Sequence, residues 1–203
     1  MKKDPTEAAD VFAVAHDQIG KLVDDGLIYE NTKYVNDVKA ENTEGSILAC
    51  TYKDKLYAYP ASQKTYFLYY DKRIFSGDDV QSLDKMLSKN VSPGTIRLGI
   101  DMGDAYYTTS FFLTNGCELF GKDGMDPKKV TFNDQNGLEA AKYIQSLKAK
   151  GVSSVKLEES DSRFAEGKMG AYITGDWKAV SFQEKLGDNY AVAKLPMLNM
   201  GSG

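Results

Sequence analysis

Cysteine and histidine are nearly missing from this 203-residue sequence, and each scarcity removes a class of chemistry. Cys50 and Cys117 lie far apart with no Cys-x-x-Cys pair, and His16 is the sole imidazole. A zinc site and a dithiol redox motif therefore lack their parts, and no metal or cofactor is expected. Buried thiols are the expectation for both cysteines, with a disulfide as the alternative. A single histidine also leaves a Ser–His or Cys–His nucleophile with one possible base. Neither a Gly-x-Ser-x-Gly elbow nor a Gly-x-x-x-x-Gly-Lys-Ser/Thr phosphate loop occurs. Positive charge is in deficit, with 25 Lys and Arg against 29 Asp and Glu, so the concentrated basic face of a nucleic-acid binder is not expected. No apolar run approaches the roughly 18–20 residues of a membrane span. The start, Met1-Lys2-Lys3-Asp4-Pro5-Thr6-Glu7, has a basic hint but no apolar stretch behind it, so any export signal is expected outside this chain.

What is present is an ordinary globular composition, 42% hydrophobic and 27% charged, rich in rings through its 13 Tyr and 9 Phe. Its length suits one large core or two lobes. Apolar runs at Asp10–Ala15, Lys55–Pro60, Tyr66–Tyr70, Thr95–Ile100, Met169–Thr174 and Tyr190–Leu195 predict strands, and Asp126–Phe132 an edge strand. Between them, Ile19, Leu22 and Val23 share a helical face that Gly26 closes. Val80, Leu83, Met86 and Leu87 mark a second helix, and Tyr106–Leu113 a third that opens after the polar loop Asp101–Asp104. A fourth, capped by Asn133 or Asp134, carries Leu138, Ala141, Ile144 and Leu147. Residues 29–50 read as polar and irregular. Strands alternating with helices predict an α/β fold.

Two chemistries compete for the polar residues. Asp101 and Asp104 can be the acid and base of a glycoside-processing enzyme, or they can hold backbone N–H groups at the start of the helix that follows. Sugar binding asks for something else: flat rings against the apolar C–H faces, and carboxylates, amides and cations for the hydroxyl rim. Trp177 follows Gly175-Asp176 at a strand-to-helix turn, at the end of a strand where open α/β sheets hold ligands. It is either such a platform or core packing. Tyr106 and Tyr107 repeat the pairing of acid and ring directly after Asp104.

Four stretches in order then resemble the maltose- and maltodextrin-binding extracellular solute-binding proteins. These are Ala13-Val-Ala-His-Asp17 with its helix to Leu27, Asp54-Lys-Leu-Tyr-Ala-Tyr-Pro60 followed by Tyr69-Tyr-Asp-Lys72, Phe164-Ala-Glu-Gly-Lys-Met-Gly-Ala-Tyr-Ile-Thr-Gly-Asp-Trp177, and Gly187-Asp-Asn-Tyr-Ala-Val-Ala-Lys-Leu-Pro196. The resemblance implies a two-lobe fold of the type II periplasmic-binding-protein class. It assigns 1–66 to a partial N-terminal lobe with the first hinge approach, 67–193 to the C-terminal lobe, and 194–203 to the second hinge. It implies a non-enzymatic, extracytoplasmic component of a carbohydrate ABC importer, a lipoprotein or periplasmic protein that delivers an oligosaccharide to membrane permease subunits. A non-transport surface protein on the same fold is the other possibility. Carried over by position, Asp17 and Asp104 are hydroxyl-binding acids, and Tyr106 and Trp177 are stacking rings. Gln18 stands where the family has an arginine, Lys64 where it has a glutamate, and Val14 where it often has a ring. Oligosaccharide therefore remains the expected ligand without specifying maltose. A first lobe lacking its opening strand also predicts self-association through exposed sheet edge.

Overall fold

The computed structural model describes residues 9–122, 126 and 128–200, and divides the chain into two compact units, residues 1–63 and 64–203. The expectation for Met1–Glu7, Pro127 within the expected edge strand, and the last three residues of the expected hinge lie outside the described residues.

In the first unit, a 3-10 turn at His16–Gln18 leads into α1 (Ile19–Asp24), followed by α2 (Val35–Glu41) and α3 (Glu44–Ala49). Strands β1 (Thr51–Tyr52) and β2 (Lys55–Leu56) form an antiparallel hairpin whose turn residues Lys53 and Asp54 both have positive φ, as the right-handed strand twist favours. Val38, Cys50 and Leu56 form its small core. The expected strand over Asp10–Ala15 is irregular instead, with Val11 88% exposed. A strand needs a ladder neighbour, and these residues pair with none among the described residues. The segment read as irregular holds α2 and α3; Thr43 caps the latter, its side chain accepting from the Ser46 N–H.

The second unit is built on a five-stranded sheet in the order β5 (Val152–Ser154), β4 (Ile96–Ile100), β6 (Met169–Gly175), β3 (Tyr66–Asp71), β7 (Tyr190–Ala193). β4 runs parallel to β5 and β6, while β3 runs antiparallel to both of its neighbours. Every residue of β6 is buried, as for a central strand covered on both faces. Alternation along β3 sends Leu68 to one face and Tyr69 to the other. On the Leu68 face pack Leu83 and Met86 of α4 (Leu83–Ser88), Tyr107 and Phe111 of α5 (Ala105–Thr114), and Tyr143 and Leu147 of α6 (Gln135–Leu147). On the Tyr69 face pack Phe164 of α7 (Leu157–Ala165) and Phe182 and Leu186 of α8 (Ala179–Leu186).

Asp134 caps α6 through the Gly137 N–H, and Ile144 and Leu147 of the expected face pack on the core, but Leu138 and Ala141 do not. Gly137, Ala140, Tyr143 and Leu147 point inward, while Leu138 is 48% exposed. The cause is at the first turn: Gly137 rests against the Phe132 carbonyl, where a Cβ would lie 2.0 Å from the oxygen. The edge strand expected around Val130 is a single bridge to Leu119. Cys50 and Cys117 are both free and buried, and no helix among the described residues is long and apolar enough to cross a membrane.

Candidate ligand-binding site

The register of β3 against β6 places Tyr66 opposite Gly175, so the start of one strand and the end of the other share one edge of the sheet. Here the Asp176 N–H donates to the Thr65 carbonyl at 3.0 Å, continuing the ladder by one bond. Gly175 has no side chain to fill the space above it, and the Trp177 indole occupies that space. A Cβ built on Gly175 would fall 2.1 Å from Cη2 and Cζ3 of the ring. Trp177 is 44% exposed, which answers the question left open by its position: the ring lies on the edge of the sheet and not inside the core.

From the neighbouring strand β4 the chain turns through Asp101–Asp104 into α5. Asp104 occupies the N-cap, its Oδ1 accepting the Tyr106 N–H at 2.9 Å, and Asp101 Oδ1 accepts the Gly103 N–H at 3.0 Å. Both carboxylates hold backbone, the second of the two roles open to them. The cap fixes the first turn of α5 so that Tyr106, 43% exposed, and buried Tyr107 meet Tyr66. Ring centroids are 4.9 Å apart for Tyr66–Tyr106, 5.2 Å for Tyr66–Tyr107 and 5.2 Å for Tyr106–Tyr107, all edge-on. Tyr106 and Trp177 are tilted to each other at 6.4 Å. The result is a braced aromatic surface with two half-open rings.

Burial pushes the Tyr106 hydroxyl above its ordinary range, helped by the adjacent Tyr107 and Tyr66 and the carboxylates of Asp176 and Asp104. Burial does the same for Tyr107. Both hydroxyls therefore remain neutral at physiological pH, able to donate and accept. Nearby, Asp161 Oδ1 and Asp176 Oδ1 are buried with no hydrogen-bond partner among the described residues. The other Asp161 oxygen pairs with Lys178 Nζ.

Of the residues nominated from sequence, Asp104, Tyr106 and Trp177 come together here, joined by Tyr66, Tyr107 and Asp176. Tyr66 was legible only as a strand residue; its place at the site follows from the register. Asp17 and Gln18 belong to the first unit, exposed and bonded to each other through Gln18 Nε2 and Asp17 Oδ2 at 3.1 Å. Asp17 caps nothing, since Ala15 holds the N-cap position of its turn. Lys64 is exposed at the start of the second unit and makes no ion pair among the described residues. No cluster of three metal-ligating side chains occurs among the described residues.

Comparison with known proteins gives consistent findings. The model of the family described as bacterial extracellular solute-binding protein matches residues 1–202. A galactooligosaccharide-binding protein of Bacillus subtilis (strain 168) is 30% identical over 95% of this chain and 48% of its own length. A maltooligosaccharide ABC transporter solute-binding lipoprotein of Streptococcus pneumoniae is 29% identical, with the same coverage. The chain thus spans about half the length of the curated relatives it matches. Among solved structures, the maltodextrin-binding protein MalE1 of L. casei BL23 without ligand superposes with a TM-score of 0.84 at 33% identity, over 97% of this chain and 51% of that one. A structure described as holding acarbose gives 0.85 at 34% identity, over 99% and 52%.

Proposed function

The chain belongs to the bacterial extracellular solute-binding proteins, and from that membership we propose that it is part of the substrate-binding component of a carbohydrate ABC importer. In this reading it holds an oligosaccharide on the surface formed by Tyr66, Tyr106, Tyr107 and Trp177 and breaks no bond. The single observation that carries it is the pair of half-open rings, Tyr106 and Trp177, braced at the end of β6. Sugar C–H faces are apolar and flat rings remove them from water, while the phenol hydroxyls, Asp104 and neighbouring acids meet the rim. Asp101 and Asp104 are engaged with backbone N–H groups, which supports binding over acid–base catalysis.

The same reading takes residues 1–66 as part of one lobe, with Asp17, Gln18 and Lys64 as its additional ligand contacts near and before the hinge. It takes 67–193 as the other lobe and 194–203 as the return crossing. The partners are membrane permease subunits and the site of action is extracytoplasmic. Relatives named for galactooligosaccharide and for maltooligosaccharide resemble the chain about equally, so the sugar is assigned by class.

The test uses the protein expressed from its complete reading frame. Titration with maltotriose and with galactotriose is expected to change the tryptophan emission saturably with at least one of them, and calorimetry is expected to show weaker binding of that sugar by Trp177→Ala than by wild type. No saturable response to either, or to longer members of both series, refutes the proposal.

A further inference from the structure

Every acid around the aromatic surface but one is already engaged. Asp104 accepts the Tyr106 N–H, Asp101 accepts the Gly103 N–H, and Asp161 pairs with Lys178. Asp176 differs. Its backbone N–H is tied to Thr65, yet no N–H, O–H or cation among the described residues donates to its carboxylate, and Oδ1 is buried without a partner. The residue as a whole is only part-buried and directly precedes Trp177. Its charge helps to push up both the Tyr106 and the Tyr69 hydroxyls.

The buried oxygen of this carboxylate gives up water without gaining a protein donor. Folding does not need that arrangement, because nothing in the fold is held by it. What it provides is an undivided acceptor: a hydroxyl reaching the accessible oxygen meets a charge that no protein donor shares. Such charge-assisted bonds are about twice as strong as neutral ones.

Resting on the reading above, we infer that Asp176 is a specificity-determining ligand acid of this site, receiving a hydroxyl of the sugar unit stacked on Trp177. Asp104 anchors the helix that carries Tyr106; Asp176 discriminates between hydroxyl positions. A sugar whose hydroxyl is absent or turned away at that position leaves the carboxylate unpartnered and is rejected.

Asp176→Asn and Asp176→Ala, in the protein from its complete reading frame, are compared with wild type by calorimetric titration with maltotriose, galactotriose and monodeoxy analogues of whichever trisaccharide binds. The expected result is a loss of roughly 10- to 100-fold in affinity in both variants. One monodeoxy analogue loses the same factor against wild type and nothing further against either variant. Without sugar, the Tm of Asp176→Asn stays within ~2 °C of wild type, because no donor in the fold is lost with the charge. A structural carboxylate would lower it. Wild-type affinity in both variants, or a fall in Tm with equal losses on every analogue, overturns the inference and leaves the proposed function standing. Absence of binding by wild type overturns both.

Discussion

Replacing Gly175 by alanine tests the placement of the Trp177 ring, because the three atoms nearest to a methyl group at that position all belong to the indole. The backbone there is extended, at φ −80° and ψ 163°, which alanine adopts freely. A compatible Gly→Ala change stabilises by about 0.4–1 kcal/mol through the unfolded chain. Against this, the new Cβ would stand 2.1 Å from Cη2 and Cζ3 and 2.3 Å from Cε3 of the indole, where carbon atoms need roughly 3.5–4.0 Å. β6 is buried along its whole length and cannot yield, whereas the ring is the free end of a half-exposed side chain. The indole therefore swings outward at a rotamer cost of about 0.5–1.5 kcal/mol, which nearly offsets the backbone gain. The expected Tm stays within ~4 °C of wild type, while the platform is lost and sugar affinity falls by roughly 5- to 30-fold, the equivalent of ~1–2 kcal/mol of ring contact. Trp177 is the only tryptophan of these 203 residues, and in this chain its emission reports the movement directly, as a red shift with faster quenching by acrylamide. Unchanged emission and affinity would refute the placement of the ring on Gly175. A Tm loss beyond about 10 °C would show that the ring is wedged as core.

The same substitution at Gly137 should behave oppositely: its Cβ would lie 2.0 Å from the Phe132 carbonyl oxygen, which is backbone and cannot swing away. A loss of about 3 kcal/mol, or ~6–12 °C in thermal unfolding, is expected despite alanine's better helix propensity. Asp104→Ala should cost ~1 kcal/mol through the lost cap, Asp104→Ser should restore the stability, and neither should restore sugar affinity; recovery of affinity in the serine variant would reduce Asp104 to a cap alone. Asp79, hydrogen-bonded by Lys89 and by the N–H and hydroxyl of Ser76, has its carboxyl held down at about 2. A depressed carboxylate stabilises fully above its unfolded value and loses that contribution as pH falls toward 2. Urea midpoints between pH 5 and 2 should therefore fall more gently in Asp79→Asn than in wild type, and parallel curves would remove the ion pair from the account.

Much of the α/β pattern was legible, and the reason is range. Runs such as Tyr66–Tyr70 and Met169–Thr174, the cap at Asp134 and the loop before α5 are set by residues within a turn or a pleat of each other. The misreadings came from information that is not local. Asp10–Ala15 has the composition of a strand, but strands exist only with a neighbour. Leu138 and Ala141 fit the helical period as well as Ala140 and Tyr143 do. The choice between those faces was made by the close approach of Gly137 to Phe132.

The candidate site divides in the same way. Local sequence determined that Trp177 follows a strand and that an acid stands before Tyr106 at the opening of a helix. It also determined, through the ordered motifs from Ala13 to Pro196, the family to which the chain belongs. Only the tertiary structure decided that Tyr66 joins Trp177 and Tyr106, because the pairing of β3 with β6 brings together positions that no local propensity relates. It alone separated the engaged carboxylate of Asp104 from the unpartnered one of Asp176, since a side chain's hydrogen-bond partners are set by where the folded chain puts the donors.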